Sequence, residues 1–199
     1  MNRLQEALIR VDTELRQLDI RWALVGGLAV STRSEPRSTR DIDLVVSLDT
    51  DLEAERLVLS LRNHGYDIFG SDGVLEQTNA ERLATVRLES PHQVVVDLMF
   101  ASSGIEDQIV GAAELVEVLP NLLVPVASRG HLIAMKVLAD RDQDRIDLRN
   151  LLAHATAQDL LDAREALDLI DRRGFSRAKD LQSILSAHLH NLPSGPQSN

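Results

Sequence analysis

The chain contains no cysteine. That excludes a disulfide scaffold and any thiolate metal site. No apolar run reaches the length of a membrane span, so a membrane partner is not expected. Lysine is nearly absent: Lys136 and Lys179 stand among basic side chains that are otherwise all arginine. Each lysine therefore draws inspection. The opening stretch, MNRLQEALIRVDTELRQL, is charged throughout and is not read as a secretory signal, which makes the cytoplasm the expected location. There is no internal repeat and no low-complexity segment.

What is present is an ordinary globular composition, 44% apolar and 26% charged over 199 residues. That length suits one domain, or one with a small annex, and supports a sizeable core. The net charge of −10 is local rather than spread. Residues 41–126 hold sixteen acids against four arginines, whereas residues 127–199 balance ten against ten. A nucleic-acid backbone is repelled by such a middle segment unless divalent cations sit in it.

Leu4, Leu8, Val11, Leu15 and Leu18 repeat at helical steps and mark an amphipathic helix. Residues 22–25 read as a short strand running into Gly26-Gly27, where a helix opens. Asp41 to Leu48 alternates and is β-branched, as a strand does. A helix is expected from Leu52 to Asn63 behind an Asp49-Thr50-Asp51 cap. A short strand is expected near Tyr66 to Phe69, a turn over Gly70 to Gly73, strands over 82–88 and 94–100, a helix over 106–116 and an extended segment over 122–126. From Ser128 the pattern becomes helical, over 131–139, 145–153, 158–172 and 177–189. The expected organisation is an α/β unit over residues 1–125, a helical unit over 126–192, and a disordered tail over 193–199.

The chemistry concentrates at Val25-Gly26-Gly27, then thirteen residues, then Asp41-Ile42-Asp43-Leu44. Glycines lack Cβ atoms, so the N–H groups at the helix opening can approach an anion, and the helix N-terminus adds positive partial charge. Asp41 and Asp43 lie two apart on a strand and share a face. Side by side their charges repel, so a cation between them is expected, and oxygen ligands suit Mg²⁺. Asp97 interrupts the apolar run Val94 to Phe100. If its strand lies beside that of Asp41 and Asp43, three carboxylates converge, enough for a two-metal phosphoryl-transfer site.

This string resembles the nucleotidyltransferase superfamily related to DNA polymerase β. The Gly-Gly form, the preceding Trp22 and the loop Arg37-Ser38-Thr39-Arg40 are most similar to its AbiEii/AbiGii toxin branch. The segment Leu132 to Lys136, then Arg141, Asp144 and Asp147-Leu148, is similar to that branch's helical motifs, although Gln143 stands where the branch often has a basic residue. The resemblance implies an α+β fold: a mixed sheet with flanking helices, followed by a C-terminal helical bundle. It implies transfer of a nucleotide monophosphate from an NTP to a hydroxyl acceptor, an RNA or tRNA 3′ end or a protein, by a toxin with a cognate antitoxin. Asp41, Asp43 and Asp97 are then the catalytic and metal-holding acids for two Mg²⁺ ions. Gly26, Gly27, Arg40, Lys136 and Asp147 are then the nucleotide-binding residues.

Several residues carry a second reading. Lys136 either reaches a triphosphate across a cleft or snorkels to Asp140 at i+4. Asp97 either binds metal or pairs with an arginine such as Arg87. Asp147 either orients Lys136 or an arginine of the site, or makes a helix cap or surface salt bridge. Arg33, Arg37 and Arg40 either contact phosphate or balance the acids. The histidines show no metal-ligand spacing. The competing functions are a non-catalytic nucleotide- or protein-binding module of this fold, and a nucleotidyltransferase acting on a small molecule such as an antibiotic. A purely structural α/β domain would leave three converging acids unexplained.

Overall fold

The first helix, α1 (Arg3–Gln17), opens with a capping box in which the Asn2 side chain accepts from the Gln5 N–H and the Gln5 side chain accepts from the Asn2 N–H. Such caps satisfy N–H groups that a helix start leaves without partners, at about 1 kcal/mol each. Its expected stripe faces inward: Leu8, Val11 and Leu15 are buried, with Leu4 and Leu18 at the margin. These features belong to a computed structural model that describes residues 2–69, 76–77 and 83–192.

The chain continues through β1 (Trp22–Val25), α2 (Gly26–Arg33), β2 (Asp41–Val46) and α3 (Asp51–Asn63). Thr50 caps α3 through a second reciprocal pair, with Glu53. Then come β3 (Asp67–Ile68), β4 (Glu76–Gln77), β5 (Leu83–Glu89) and β6 (Val95–Met99). The helix α4 (Glu106–Gly111) leads to β7 (Glu114–Leu119) and β8 (Leu122–Val126). Four helices follow: α5 (Arg129–Ala139), α6 (Asp142–Ala153), α7 (Ala157–Arg172) and α8 (Leu181–His190).

The strands form one mixed sheet in the order β3-β5-β6-β2-β1-β8-β7, with β4 also pairing β5. Strand β1 is buried along its whole length. Strand β2 runs antiparallel to β1 and parallel to β6. A single apolar cluster joins the sheet to α5, α6, α7 and α8, through Ile133, Leu151, Leu167 and Leu185 among others. The expected mixed sheet, flanking helices and C-terminal helices are all present. No helix among the described residues is long and apolar enough to cross a membrane.

Two expected elements differ. The helix expected over 106–116 is α4, which spans six residues and stops at Gly111. From Glu114 the alternation of Leu115, Val116, Glu117 and Val118 takes over, and β7 turns back into β8 through Asn121 at φ 64°. Local helix-forming acids are outweighed there by β-branched alternation and a hairpin turn. The last helix does not begin at Arg177, because Arg177 and Ala178 adopt φ of 54° and 58°. Helix α8 starts instead behind Asp180, whose side chain accepts from the Ser183 N–H. The expected turn over Gly70 to Gly73 and the tail over 193–199 lie outside the described residues.

Candidate active site

Register places the acids. Asp43 on β2 lies opposite Asp97 on β6, and Asp97 lies opposite Arg87 on β5. Period-two alternation puts Asp41, Asp43, Asp97, Met99, Arg87 and Thr85 on one face, and all six line one cleft of about 910 Å³. Asp41, Asp43 and Asp97 each offer an oxygen, and these oxygens lie within 4.8 Å of one another. The donor set is all oxygen, the kind that suits a hard divalent cation.

The glycine turn is built around one of these acids. Gly26 has φ 62°, and a Cβ there would stand 1.8 Å from Asp43 Oδ2. Any other residue would strain the backbone and collide with the carboxylate. Burial and the neighbouring charges of Asp41 and Asp97 push the Asp43 carboxyl from its ordinary 3.8 up to about 6. Lys136 and the Gly27 N–H, which donates to Asp43, pull it the other way. Asp41 is oriented by Thr39, whose Oγ1 donates to Asp41 Oδ1 at 2.9 Å.

Asp97 makes the arginine pair and also lies in the acid cluster. Arg87 donates from Nε to Oδ1 and from Nη2 to Oδ2, each at 2.7 Å. This bidentate fork fixes the plane of the carboxylate, and the same hydrogen bonding raises the Arg87 pKa. Yet Asp97 remains within the three-acid cluster.

The opposite wall comes from the helices. Lys136 on α5 lines the cleft, as the acids do, and is only 8% exposed. Its Nζ lies 2.8 Å from Asp144 Oδ1 and 2.8 Å from Asp147 Oδ2, both on α6. The expected i+4 partner, Asp140, is bound instead by Arg145. Asp140 closes α5 in a left-handed conformation, which turns it away from the line of the helix. Burial works against the Asp144 carboxylate, but hydrogen bonds from Arg141 and Lys136 outweigh it and hold its pKa below the ordinary value. Asp147 is fully buried and does not itself line the cleft.

Of Arg33, Arg37 and Arg40, the structure brings Arg37 to the cleft. Arg40 is exposed and lies outside the lining residues. Arg33 turns the other way, to the carbonyls of Val126 and Ala127 and to Glu114. Sequence reasoning does not single out Phe69, exposed at the cleft beside Arg87. The one signal for it is the rarity of aromatics, 3% of the chain.

Among curated proteins, none matches the chain by sequence. Several solved structures share the fold, two of them as follows. One is the lincosamide antibiotic adenylyltransferase LnuA, lincomycin-bound, at TM-score 0.52 and 14% identity, covering 75% of this chain and 97% of that one. The other is the antibiotic-resistance factor ANT(2'')-Ia, at TM-score 0.57 and 14% identity, covering 96% of this chain and 99% of that one. Residues 9–194 match the family model for the nucleotidyl transferase AbiEii toxin of type IV toxin–antitoxin systems. The glycine turn, the paired acids on β2 and a match over nearly the whole chain lead to one assignment: this protein is a nucleotidyltransferase with the polymerase β-like fold and belongs to the AbiEii toxin family.

Proposed function

We propose that the chain uses Mg²⁺ to move a nucleotide monophosphate from an NTP onto a hydroxyl at an RNA 3′ end, such as that of tRNA, with release of pyrophosphate. One observation carries the reading: three carboxylates converge within 4.8 Å on one wall of a cleft whose other wall is cationic. Asp41, Asp43 and Asp97 are the residues that would hold the metal. The fit rests on the oxygen donor set and on the raised pKa of Asp43, which reports burial first and then repulsion from Asp41 and Asp97, both of which a cation relieves. Bound there, Mg²⁺ neutralises charge developing on the transferred phosphoryl group.

The chain's own residues supply the remainder. Gly26 and Gly27 let β1 turn tightly into α2 against Asp43 and Arg37, and the helix end adds positive partial charge beside the triphosphate. Lys136 draws the same charge from the helical wall. Asp97, held in plane by Arg87, takes the proton of the acceptor hydroxyl. The acceptor oxygen bonds to the α-phosphorus as the bond to the β-phosphate oxygen breaks.

The acceptor side of the cleft lies beyond Asp97, towards β5 and β3. There Arg87 and the exposed ring of Phe69, whose N–H donates to the Arg87 carbonyl, line the wall. An arginine beside an aromatic platform suits a phosphate and an unstacked base. A second reading is a small hydroxylated acceptor, as the antibiotic names of the two solved neighbours suggest. The cleft volume is sufficient, and Arg37, Arg87, Lys136, Arg141 and Arg177 share its lining with Asp41, Asp43, Asp97 and Asp144. Such an activity would act in the cytoplasm, where NTPs and RNA are, and would require a cognate antitoxin to restrain it.

Incubation with each α-labelled NTP, Mg²⁺ and separate pools of RNA, protein or hydroxylated antibiotics tests the proposal. Label in RNA that disappears with a chelator is the expected result. Label only in an antibiotic would establish the second reading, and no label in any pool would overturn both.

A further inference from the structure

One buried carboxylate holds two cations that face the cleft from different parts of the chain. Asp147 Oδ1 lies 2.8 Å from Arg37 Nε, and Arg37 Nη2 donates to Oδ2 at 3.0 Å. Oδ2 also lies 2.8 Å from Lys136 Nζ, and Gln143 Nε2 donates to Oδ1 at 3.2 Å. Arg37 comes from the loop between α2 and β2, and Lys136 from α5. Both line the cleft, whereas Asp147 sits behind them with no exposed surface.

Arg37 stands directly over the glycine turn. A Cβ on Gly27 would lie 2.8 Å from Arg37 Nη2, so the missing side chain is the space in which the guanidinium rests. The Gly27 N–H is already directed at Asp43, which leaves the turn short of donors for an anion. The charges around Asp147 are also unequal. Arg37, Lys136 and Arg141 are three cations against two carboxylates, Asp144 and Asp147. The extra cation faces the acids across the cleft, where Lys136 and Arg141 both act on Asp43, and 24% of the Arg37 side chain remains exposed.

The geometry points to Arg37 as a direct ligand of the β- and γ-phosphates of the NTP, the part that leaves as pyrophosphate, and to Asp147 as the positioning residue that aims Arg37 and Lys136 at it. Asp147 is expected from the sequence among the nucleotide-binding residues; its burial makes it act through the two cations instead. The assignment rests on the nucleotide-transfer reading above.

The test is calorimetric titration of the full chain, in Mg²⁺, with pyrophosphate, an NTP and a nucleoside monophosphate. Arg37→Ala is expected to weaken pyrophosphate and NTP by about tenfold or more, the worth of a charge-assisted hydrogen bond, and to leave the monophosphate within about twofold. Arg37→Lys keeps the charge but not the two-point pairing with Asp147, and is expected to fall between. It also serves if the alanine variant does not fold. Asp147→Asn is expected to weaken pyrophosphate less than Arg37→Ala, and the double variant to bind no better than Arg37→Ala. If Arg37 only neutralises Asp147, the double variant regains wild-type pyrophosphate affinity, and that result overturns the assignment. So does Arg37→Ala binding pyrophosphate like wild type, or losing monophosphate affinity equally. Wild-type protein that binds neither NTP nor pyrophosphate overturns the nucleotide-transfer reading itself, a different outcome from failure at Arg37 alone.

Discussion

The two walls of the cleft treat charge in opposite ways. The sheet wall gathers like charges: Asp41, Asp43 and Asp97 bring their oxygens within 4.8 Å, and repulsion together with burial raises Asp43 to about 6. The helical wall gathers unlike charges: Lys136 is shared by Asp144 and Asp147, and Arg37 and Arg141 complete the set. The sheet wall is therefore less stable in the apo protein than neutral side chains would make it. The helical wall holds its charges in mutual compensation, so it tolerates burial but not the loss of a partner. The proposed function needs this division, with cations held on one wall and an anion on the other.

The largest effect should come from removing a carboxylate of the sheet wall. Asp43→Asn is expected to lower transfer by about a thousandfold or more, as loss of a metal-holding charge does. Its fold should persist, because the Asn oxygen still accepts from the Gly27 N–H. A variant with wild-type turnover would remove Asp43 from the metal assignment.

The same comparison predicts the reverse on the helical wall. Asp147→Ala leaves Arg37 and Lys136 facing each other without their shared counter-charge, and should cost about 3–5 kcal/mol of stability, read by urea unfolding. A loss below about 1 kcal/mol would show that solvent already compensates these charges.

The apo stability of Asp43→Asn sharpens the contrast further. A carboxyl whose folded pKa is raised stabilises the fold fully below its unfolded pKa, and that contribution is lost as pH rises through the folded value. With 3.8 rising to about 6, wild type should lose ground to Asp43→Asn between about pH 4 and 7. The gap should reach up to about 3 kcal/mol, the worth of two pKa units. Melting curves across that range in chelator measure it, and a gap that does not change with pH would contradict the raised pKa. Adding Mg²⁺ at about pH 7.5 should then raise the wild-type Tm more than that of Asp43→Asn.

The smallest effect is expected at Thr39, whose hydroxyl only orients Asp41. Thr39→Val should cost about 1 kcal/mol in transition-state stabilisation, seen as a few-fold drop in kcat/KM.

The two walls also differ in how far the sequence reveals them. Strand periodicity dictates which residues share a face, so Asp41 and Asp43 are legible as a pair from their spacing alone. Asp97 is legible as a charge that an apolar strand cannot carry idly. The helical wall has no such rule. Lys136 lies eight residues before Asp144 and eleven before Asp147, across a break between two helices, and only packing says that all three meet. Local spacing favours Asp140 for the lysine, and the left-handed close of α5 removes it. Choosing among Arg33, Arg37 and Arg40 likewise depends on the path of a loop. The helix expected over 106–116 is lost to β7 because a hairpin partner, β8, rewards alternation that a local reading undervalues.

Parallel pairing of β2 with β6 has a consequence for how the protein comes into being. Asp43 and Asp97 are Cα partners across that pairing although fifty-four residues separate them in sequence. Closing so long a loop is slow and brings no reward until the strands meet. No hairpin or lone helix among the described residues holds the three-acid cluster in miniature. A nascent or partly folded chain therefore has no assembled acid cluster, and a nucleotidyltransferase built this way becomes competent only once its sheet has closed.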